Sequence, residues 1–355
     1  MLERITLERR AGAGPVRQTA AYTGSLVTAI ALSLGVLVAA GVPIRALYQE
    51  LVVQVFLAPT GQAQTLTAAT PMLLVGLSAA LCLRLKFWNI GLEGQLLLGG
   101  IFATGVALTD LGGPVRLALM LIASAIGGAL WIAAPLLLRL RLGVSEVIVT
   151  LMMTNIAYLL LQHLLFGAFG DPTYNFPSSP AFDDAERLPR LGFGSVHLGL
   201  VIALAAVAAV AWISYRTPFG FASRFAGHNP EAARTVGFNT TWIIVVSVLA
   251  AGALSGLAGG IIVAGTEFRL SQQIGLHATF NGIVIAALAR NEPLWIVPVS
   301  LLIAGLTVAS ASLKVFYGVS EGVVLIIQGI ILFCLVAGQF LTTYRVSLTP
   351  MEAVR

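Results

Sequence analysis

Eight consecutive residues, Trp88-Asn89-Ile90-Gly91-Leu92-Glu93-Gly94-Gln95, set two carboxamides and a carboxylate beside two glycines inside an otherwise apolar stretch. Two kinds of chemistry fit them. Polar groups in an apolar medium are costly and tend to face a pathway or a partner, so Asn89, Glu93 and Gln95 could line a polar route. Equally, Asn89 could cap a helix whose first turn carries Glu93 against the positive end of the dipole. Asn155 and Gln162 lie about two turns apart, with His163 beside them, and so share a face of a predicted helix. That face could line a path or bond to neighbouring helices. Asn281 opens a similar apolar element and joins the candidate pathway residues. Glu146 and Glu321 each follow a serine, Ser145 and Ser320, which is ordinary helix-start chemistry. The sequence has no Gly-x-x-x-x-Gly-Lys-Ser/Thr loop, no metal-ligand spacing and no nucleophile beside a base, so no catalytic residue is proposed.

These groups need a scaffold, and composition says which kind. Of 355 residues 58% are hydrophobic and only 10% charged, against about 25% charged in soluble domains. A bilayer accepts such an apolar exterior. The 37 glycines allow close approach of helices in lipid. The formal charge of +5 fits arginines at helix ends rather than a nucleic-acid partner. Cys82 and Cys334 lie in apolar runs and suggest neither a disulfide nor a metal site.

Ten apolar runs of roughly spanning length follow: Ala21–Ile44, Thr70–Leu85, Glu93–Leu111, Val115–Leu138, Ser145–Phe169, Val196–Tyr215, Trp242–Gly265, Leu276–Ala289, Leu294–Leu313 and Glu321–Leu341. The second is short. The fold class expected is an all-α integral membrane bundle. It comprises an N-terminal segment (1–20), a transmembrane domain (21–343) and a tail (344–355). With the N-terminus inside, 14 of the 20 basic residues fall on the cytoplasmic side, a positive-inside bias that puts both termini in the cytoplasm. The first run reads as a retained helix, not a cleaved leader. Leu47–Phe56 reads as an interfacial segment. A long outer loop, Gly170–Ser195, holds four prolines and the acidic Asp183, Asp184 and Glu186.

Gly-Val-Ser-Glu occurs at Gly143–Glu146 and again at Gly318–Glu321, each copy opening a helix. A weaker match, Glu93–Leu98 against Asn281–Ala286, precedes each copy. Helices two to five therefore repeat as seven to ten. A shift of five helices makes the repeat inverted, a plan common in transporters.

The loop Arg216–Thr241 encodes a short helix. Asn229 is its N-cap and Pro230 its first residue, Glu231 and Arg234 suit the dipole ends, and Gly237 ends it. Ala232, Ala233 and Val236 are the small groups it would offer to a partner's groove. Such a helix suits mechanical coupling to a soluble motor.

Three stretches resemble the permease subunits of ABC importers of the branched-chain amino acid, ribose and nucleoside type, over about Thr70 to Leu341. These are Asn89-Ile90-Gly91-Leu92-Glu93-Gly94-Gln95, the loop Gly227–Asn239 with Ser255–Gly260 after it, and Phe280-Asn281-Gly282-Ile283. The first resembles the nucleoside branch, which depends on a basic membrane lipoprotein. The resemblance implies a bacterial inner-membrane subunit and two ATPase subunits or one fused ATPase. It implies a second permease, often a related different chain, and an extracytoplasmic substrate-binding lipoprotein. ATP and Mg would then sit on the partner, with no cofactor on this chain. Two alternatives stay open: the same architecture importing a sugar or branched-chain amino acid, and an ion-coupled secondary transporter using Glu93 and Glu146.

Overall fold

The computed structural model describes residues 3–9, 15–109, 112–173 and 176–350. It divides into two compact units, Gln54–Val308 and the terminal pieces Met1–Val53 with Ala309–Arg355.

In the terminal unit, α1 (Pro15–Ala39) packs along α13 (Glu321–Thr343). A side chain added at Gly338 would collide with Ser25, so glycine sets how closely these helices approach. After α1 come α2 (Ile44–Tyr48) and a π-helical segment, Gln49–Leu57, where an interfacial segment was expected. Glu50 is buried and accepts a hydrogen bond from Ser312. A short strand pair accompanies the otherwise helical chain here. β1 (Glu3–Arg9) pairs antiparallel with β2 (Tyr344–Pro350), Glu3 opposite Pro350 and Arg9 opposite Tyr344. Both sequences alternate apolar or β-branched residues with polar ones, a period-2 pattern that favours strands over helix.

The larger unit holds α3 (Pro59–Arg84), α4 (Leu92–Ala107), α5 (Gly113–Leu142), α6 (Glu146–Leu165), α7 (Gly199–Arg216), α8 (Pro218–His228), α9 (Pro230–Thr235), α10 (Thr240–Ile262) and α11 (Ala278–Leu288). It also holds α12 (Pro293–Tyr317) as far as Val308. Six helices of the described chain are long and apolar enough to cross a membrane, and four shorter apolar helices bring the total to the ten expected.

The second helix is longer than its sequence suggested. It begins at Pro59, not near Thr70, and is a full-length span. Its first half is rich in Thr, Gln and Ala, which lowers hydropathy. Those residues are accommodated because Thr65, Thr67 and Thr70 are buried inside the protein, with Thr67 and Thr70 bonded to carbonyls one turn back.

The repeat shows in local geometry. Gly143 and Gly318 both adopt left-handed conformations, φ 66° and 64°, and the next helix starts at Glu146 and Glu321 respectively. Each half also contains one short helix, α4 or α11, preceded by irregular chain.

Candidate translocation site and coupling surface

The larger unit is built on α4, α5 and α10, whose glycines leave backbone against backbone. A Cβ on Gly99 would fall on the Gly256 carbonyl, one on Gly256 on the Ser124 carbonyl, and one on Gly259 on the Leu96 carbonyl. Ser255 and Ser78 donate across this core to the Leu92 and Ala251 carbonyls, at 2.7 and 2.6 Å.

Against that rigid block sits a cavity of about 90 Å³. Pro71, Met72 and Val75 of α3, Leu96, Ile262, Gly275, Leu276, Ala278 and Asn281 line it. Pro71 interrupts the hydrogen-bond ladder of α3 at the cavity wall. On the opposite wall α11 begins late, because residues 268–277 between α10 and α11 are non-helical. Phe268 and His277 sit in left-handed backbone at its two ends. Irregular chain within a membrane is tolerated where it lines a cavity, and Gly275 and Leu276 of this segment line this one.

The sequence-predicted polar residues divide into two groups. Asn281 reaches the cavity. Glu93 is half-buried one turn before Leu96, in the electrostatic reach of His277. Its N–H donates to the Thr279 hydroxyl at 3.0 Å, and that hydroxyl lies 3.3 Å from the Ile90 carbonyl, so the starts of α4 and α11 are stitched together. Asn89 and Gln95 face each other instead of a path. The Gln95 amide donates to Asn89 Oδ1 at 2.9 Å, Asn89 returns a bond at 3.2 Å, and Gly91 N–H completes the set at 3.0 Å. Both are buried, 3% and 1% exposed, and their hydrogen-bonding capacity is used in holding the turn before α4. That turn follows a complete α3, not a helix that stops midway. Asn155 is exposed on α6, donating only to its own Leu151 carbonyl at 3.0 Å.

The helix-start reading of Ser145 and Glu146 is half right. Ser145 makes no side-chain cap. Glu146 forms an ion pair with Arg139 and accepts from Trp88 N–H at 3.3 Å, tying α5, α6 and the turn before α4.

At the end where α3 finishes, the predicted short helix is present as α9. Asn229 Oδ1 accepts from Ala232 N–H at 3.0 Å, Pro230 is the first helical residue, and Gly237 is left-handed at φ 92°. Arg234 bonds Thr240 at 2.9 Å and thereby joins α9 to α10. Ala233 corrects the expectation that it projects outward. It is fully buried against Leu85, Ala222, Ala226 and Ile243. Sequence reading also missed α8, although Thr217-Pro218 is the same cap-then-proline signal that marked α9; Thr217 Oγ1 accepts from Gly220 N–H at 3.2 Å. Phe221, Phe225 and Phe238 form a ring cluster with centroids 6.2–6.3 Å apart. Phe221 is 58% and Val236 66% exposed, so this two-helix unit presents an apolar surface.

At the far end, the loop between α6 and α7 is tied to the break after α10. Ser179 and Phe182 N–H donate to the Leu270 and Phe268 carbonyls, and Leu188 N–H to that of Ala264, all at 2.8–2.9 Å. Asp183 and Glu186 form a capping box, and Glu186 pairs with Arg116. His197, just before α7, is buried; Nδ1 accepts from Gly199 N–H at 3.2 Å, and Nε2 has no partner. Burial lowers the affinity of its imidazole for a proton. A histidine held neutral in the fold contributes stability above its unfolded value, about 6.5, and that contribution is lost as pH falls below it. The melting temperature should therefore drop between pH 7.5 and 5.5. His197→Asn, which keeps an acceptor for Gly199, should drop less, and equal drops would dismiss this histidine as the cause.

Ten apolar helices, with irregular chain beside a small, mostly apolar cavity that Asn281 enters and a capped helical pair at one end of the larger unit, make a multi-pass membrane permease. The sequence matches, over residues 62–336, the family described as branched-chain amino acid transport system / permease component, and the chain belongs to it. It is 34% identical to the glucose ABC transporter permease protein TsgB13 of Haloferax volcanii, over 91% of this chain and 88% of that one. It is 34% identical to the guanosine ABC transporter permease protein NupP of Bacillus subtilis, over 76% and 79%. It is 28% identical to the nucleoside ABC transporter permease protein NupB of Lactococcus lactis, over 72% and 73%.

Proposed function

We infer that this ABC permease imports nucleosides across a bacterial inner membrane. A partner ATPase docks on α8 and α9, both termini are cytoplasmic, and a binding lipoprotein delivers substrate to the α6–α7 loop at the outer face. A second, related permease completes the pathway. The observation that carries this reading is the apolar surface of the capped α8–α9 pair, in a family member with no phosphate-binding loop of its own. Hydrolysis then belongs to the partner, with its ATP and Mg.

The cavity supplies the step that must be driven. Small-molecule sites usually occupy about 300–1,000 Å³, so 90 Å³ admits no nucleoside. Passage requires α3 and α11 to separate, and Pro71 and the irregular 268–277 segment are where they can yield. Asn281, with one donor and one acceptor group, suits a base edge or a ribose hydroxyl, with Glu93 beside the route. Asn155 on the exposed face of α6 would meet the partner permease or the path between the two chains, since a lone carboxamide is disfavoured in lipid. Asn89 and Gln95 serve by shaping the turn that carries Glu93.

The test is uptake by the complex in liposomes with its ATPase and binding protein. Labelled guanosine should accumulate only with ATP, and Asn281→Leu should raise the half-saturating concentration about tenfold, the size of one lost hydrogen bond in a dry site. Uptake driven by an ion gradient without ATP would overturn the reading. The Haloferax relative named for glucose supports a sugar as the second candidate cargo, and glucose accumulation in place of guanosine would decide for it.

A further inference from the structure

Where α3 ends, three helices and one turn meet on a few polar side chains. Arg84 donates one guanidinium nitrogen to Ser214 Oγ of α7 at 3.0 Å and the other to the Asn291 carbonyl at 2.7 Å. Tyr215, next along α7, donates its hydroxyl proton to Glu292 Oε2 at 2.5 Å. The Arg224 guanidinium of α8 lies over the Tyr215 ring, 5.8 Å from its centroid. Gly227 of α8 sits so close to the Arg84 carbonyl that a Cβ would overlap it, and Lys86 donates to the His228 carbonyl at 3.4 Å. Two of these contacts, Arg84 with Asn291 and Tyr215 with Glu292, tie the ends of α3 and α7 to the turn at 290–292, and the others seat α8 on those same helix ends.

Residues 290–292 form the turn between α11 and α12, and it is strained. Arg290 and Asn291 are consecutive non-glycine residues with φ of 53° and 59°, a conformation L side chains adopt reluctantly. Strain of this kind persists where surrounding contacts enforce it, and Arg84 and Tyr215 supply such contacts. At its other end α11 carries Asn281 at the cavity wall. Between the two ends it packs tightly on α3, with Gly282 against Val75 and Ile285 against Gly76. An uninterrupted helix transmits displacement along its axis, whereas the irregular 268–277 segment beyond it can absorb movement.

We propose that Arg84, Tyr215 and Glu292 are positioning residues that carry movement of the α8–α9 pair through the 290–292 turn to α11, and so to the cavity wall. This rests on the reading of α8 and α9 as the ATPase dock. Tyr215 and Glu292 are the members open to mild substitution, because Tyr215→Phe and Glu292→Gln each leave the shape nearly unchanged.

The experiment uses the reconstituted complex and measures ATP hydrolysis, substrate taken up per ATP, and melting temperature. Tyr215→Phe and Glu292→Gln should each keep ATP hydrolysis and melting temperature near the unsubstituted values. Uptake per ATP should fall about tenfold, the size expected when a hydrogen bond to a charged group biases a two-state element. The double variant should be no worse than Tyr215→Phe alone, because without the hydroxyl the side chain at 292 has no bond left to lose, whereas Glu292→Gln keeps an acceptor and removes only its charge. Unchanged uptake per ATP, or a loss that only follows a fall in melting temperature, overturns the proposal and leaves the cluster as a brace. Absence of ATP-driven uptake in the unsubstituted complex overturns the functional reading itself, and this inference with it.

Discussion

Gly256→Leu should leave almost no folded protein in the membrane. Gly256 lies where α10 crosses α4 and α5. A Cβ there would meet the Ser124 carbonyl and the Gly128 backbone, and Gly256 itself closes on the backbone of Gly99. These neighbours are main chain of two other helices and have no rotamer to give. Overpacking a well-filled core costs about 1–3 kcal/mol when side chains can shift. With backbone on every side the cost belongs at or above the upper end. Helices in lipid gain no hydrophobic drive for association, so close packing and interhelical hydrogen bonds are what would be lost, including the serine bonds beside this crossing. The check is the monodisperse fraction on size-exclusion after extraction in mild detergent. Gly35→Leu in α1 is the control, since nothing lies within 4 Å of its missing side chain. A normal profile for Gly256→Leu would show that the crossing is looser than described.

The second large effect is expected at the α8–α9 surface. Val236→Asp should abolish recovery of an ATPase with the detergent-solubilised permease while leaving the permease's own melting temperature unchanged. Val236 is two-thirds exposed, so aspartate costs the fold little, yet it puts a charge on the apolar surface that includes Phe221. An anchor at the centre of an interface is worth about 2 kcal/mol or more, a roughly thirtyfold weakening. Ala233→Arg is a different experiment. Its side chain has no room beside Leu85 and Ile243, so that variant should lower the melting temperature and report on folding. Undiminished ATPase recovery with Val236→Asp would move the dock elsewhere on the chain.

Helix number was legible because spanning length and apolar composition are imposed on each segment separately. So was the α9 cap, where Asn229, Pro230 and Gly237 each have a local backbone reason to be there. The beginning of α3 was not legible. Thr65, Thr67 and Thr70 are accommodated by burial inside the protein, and burial is a property of neighbours distant in sequence. The pairing of Asn89 with Gln95 was hidden for the same reason, since a carboxamide facing a path and one facing another carboxamide look alike in sequence. Ala233 illustrates the limit on a helix of six residues, where one turn decides inside from outside. The cavity drew on α3, α4, α10 and α11 together, and only Asn281 among its lining had stood out beforehand. The Tyr215–Glu292 bond joins residues 77 apart and had no local signature.

The α6–α7 loop has a consequence of another sort. Its course is set by amide hydrogens of Ser179, Phe182 and Leu188 gripping carbonyls of the chain that follows α10. An amide hydrogen is common to nearly every amino acid, so this part of the grip does not depend on the exposed side chains, while the buried Glu186 adds its own tie to Arg116. Shape and lettering are thereby separable. The exposed side chains of the loop can be rewritten, residue by residue, while its main-chain bonds to the segment after α10 keep its course.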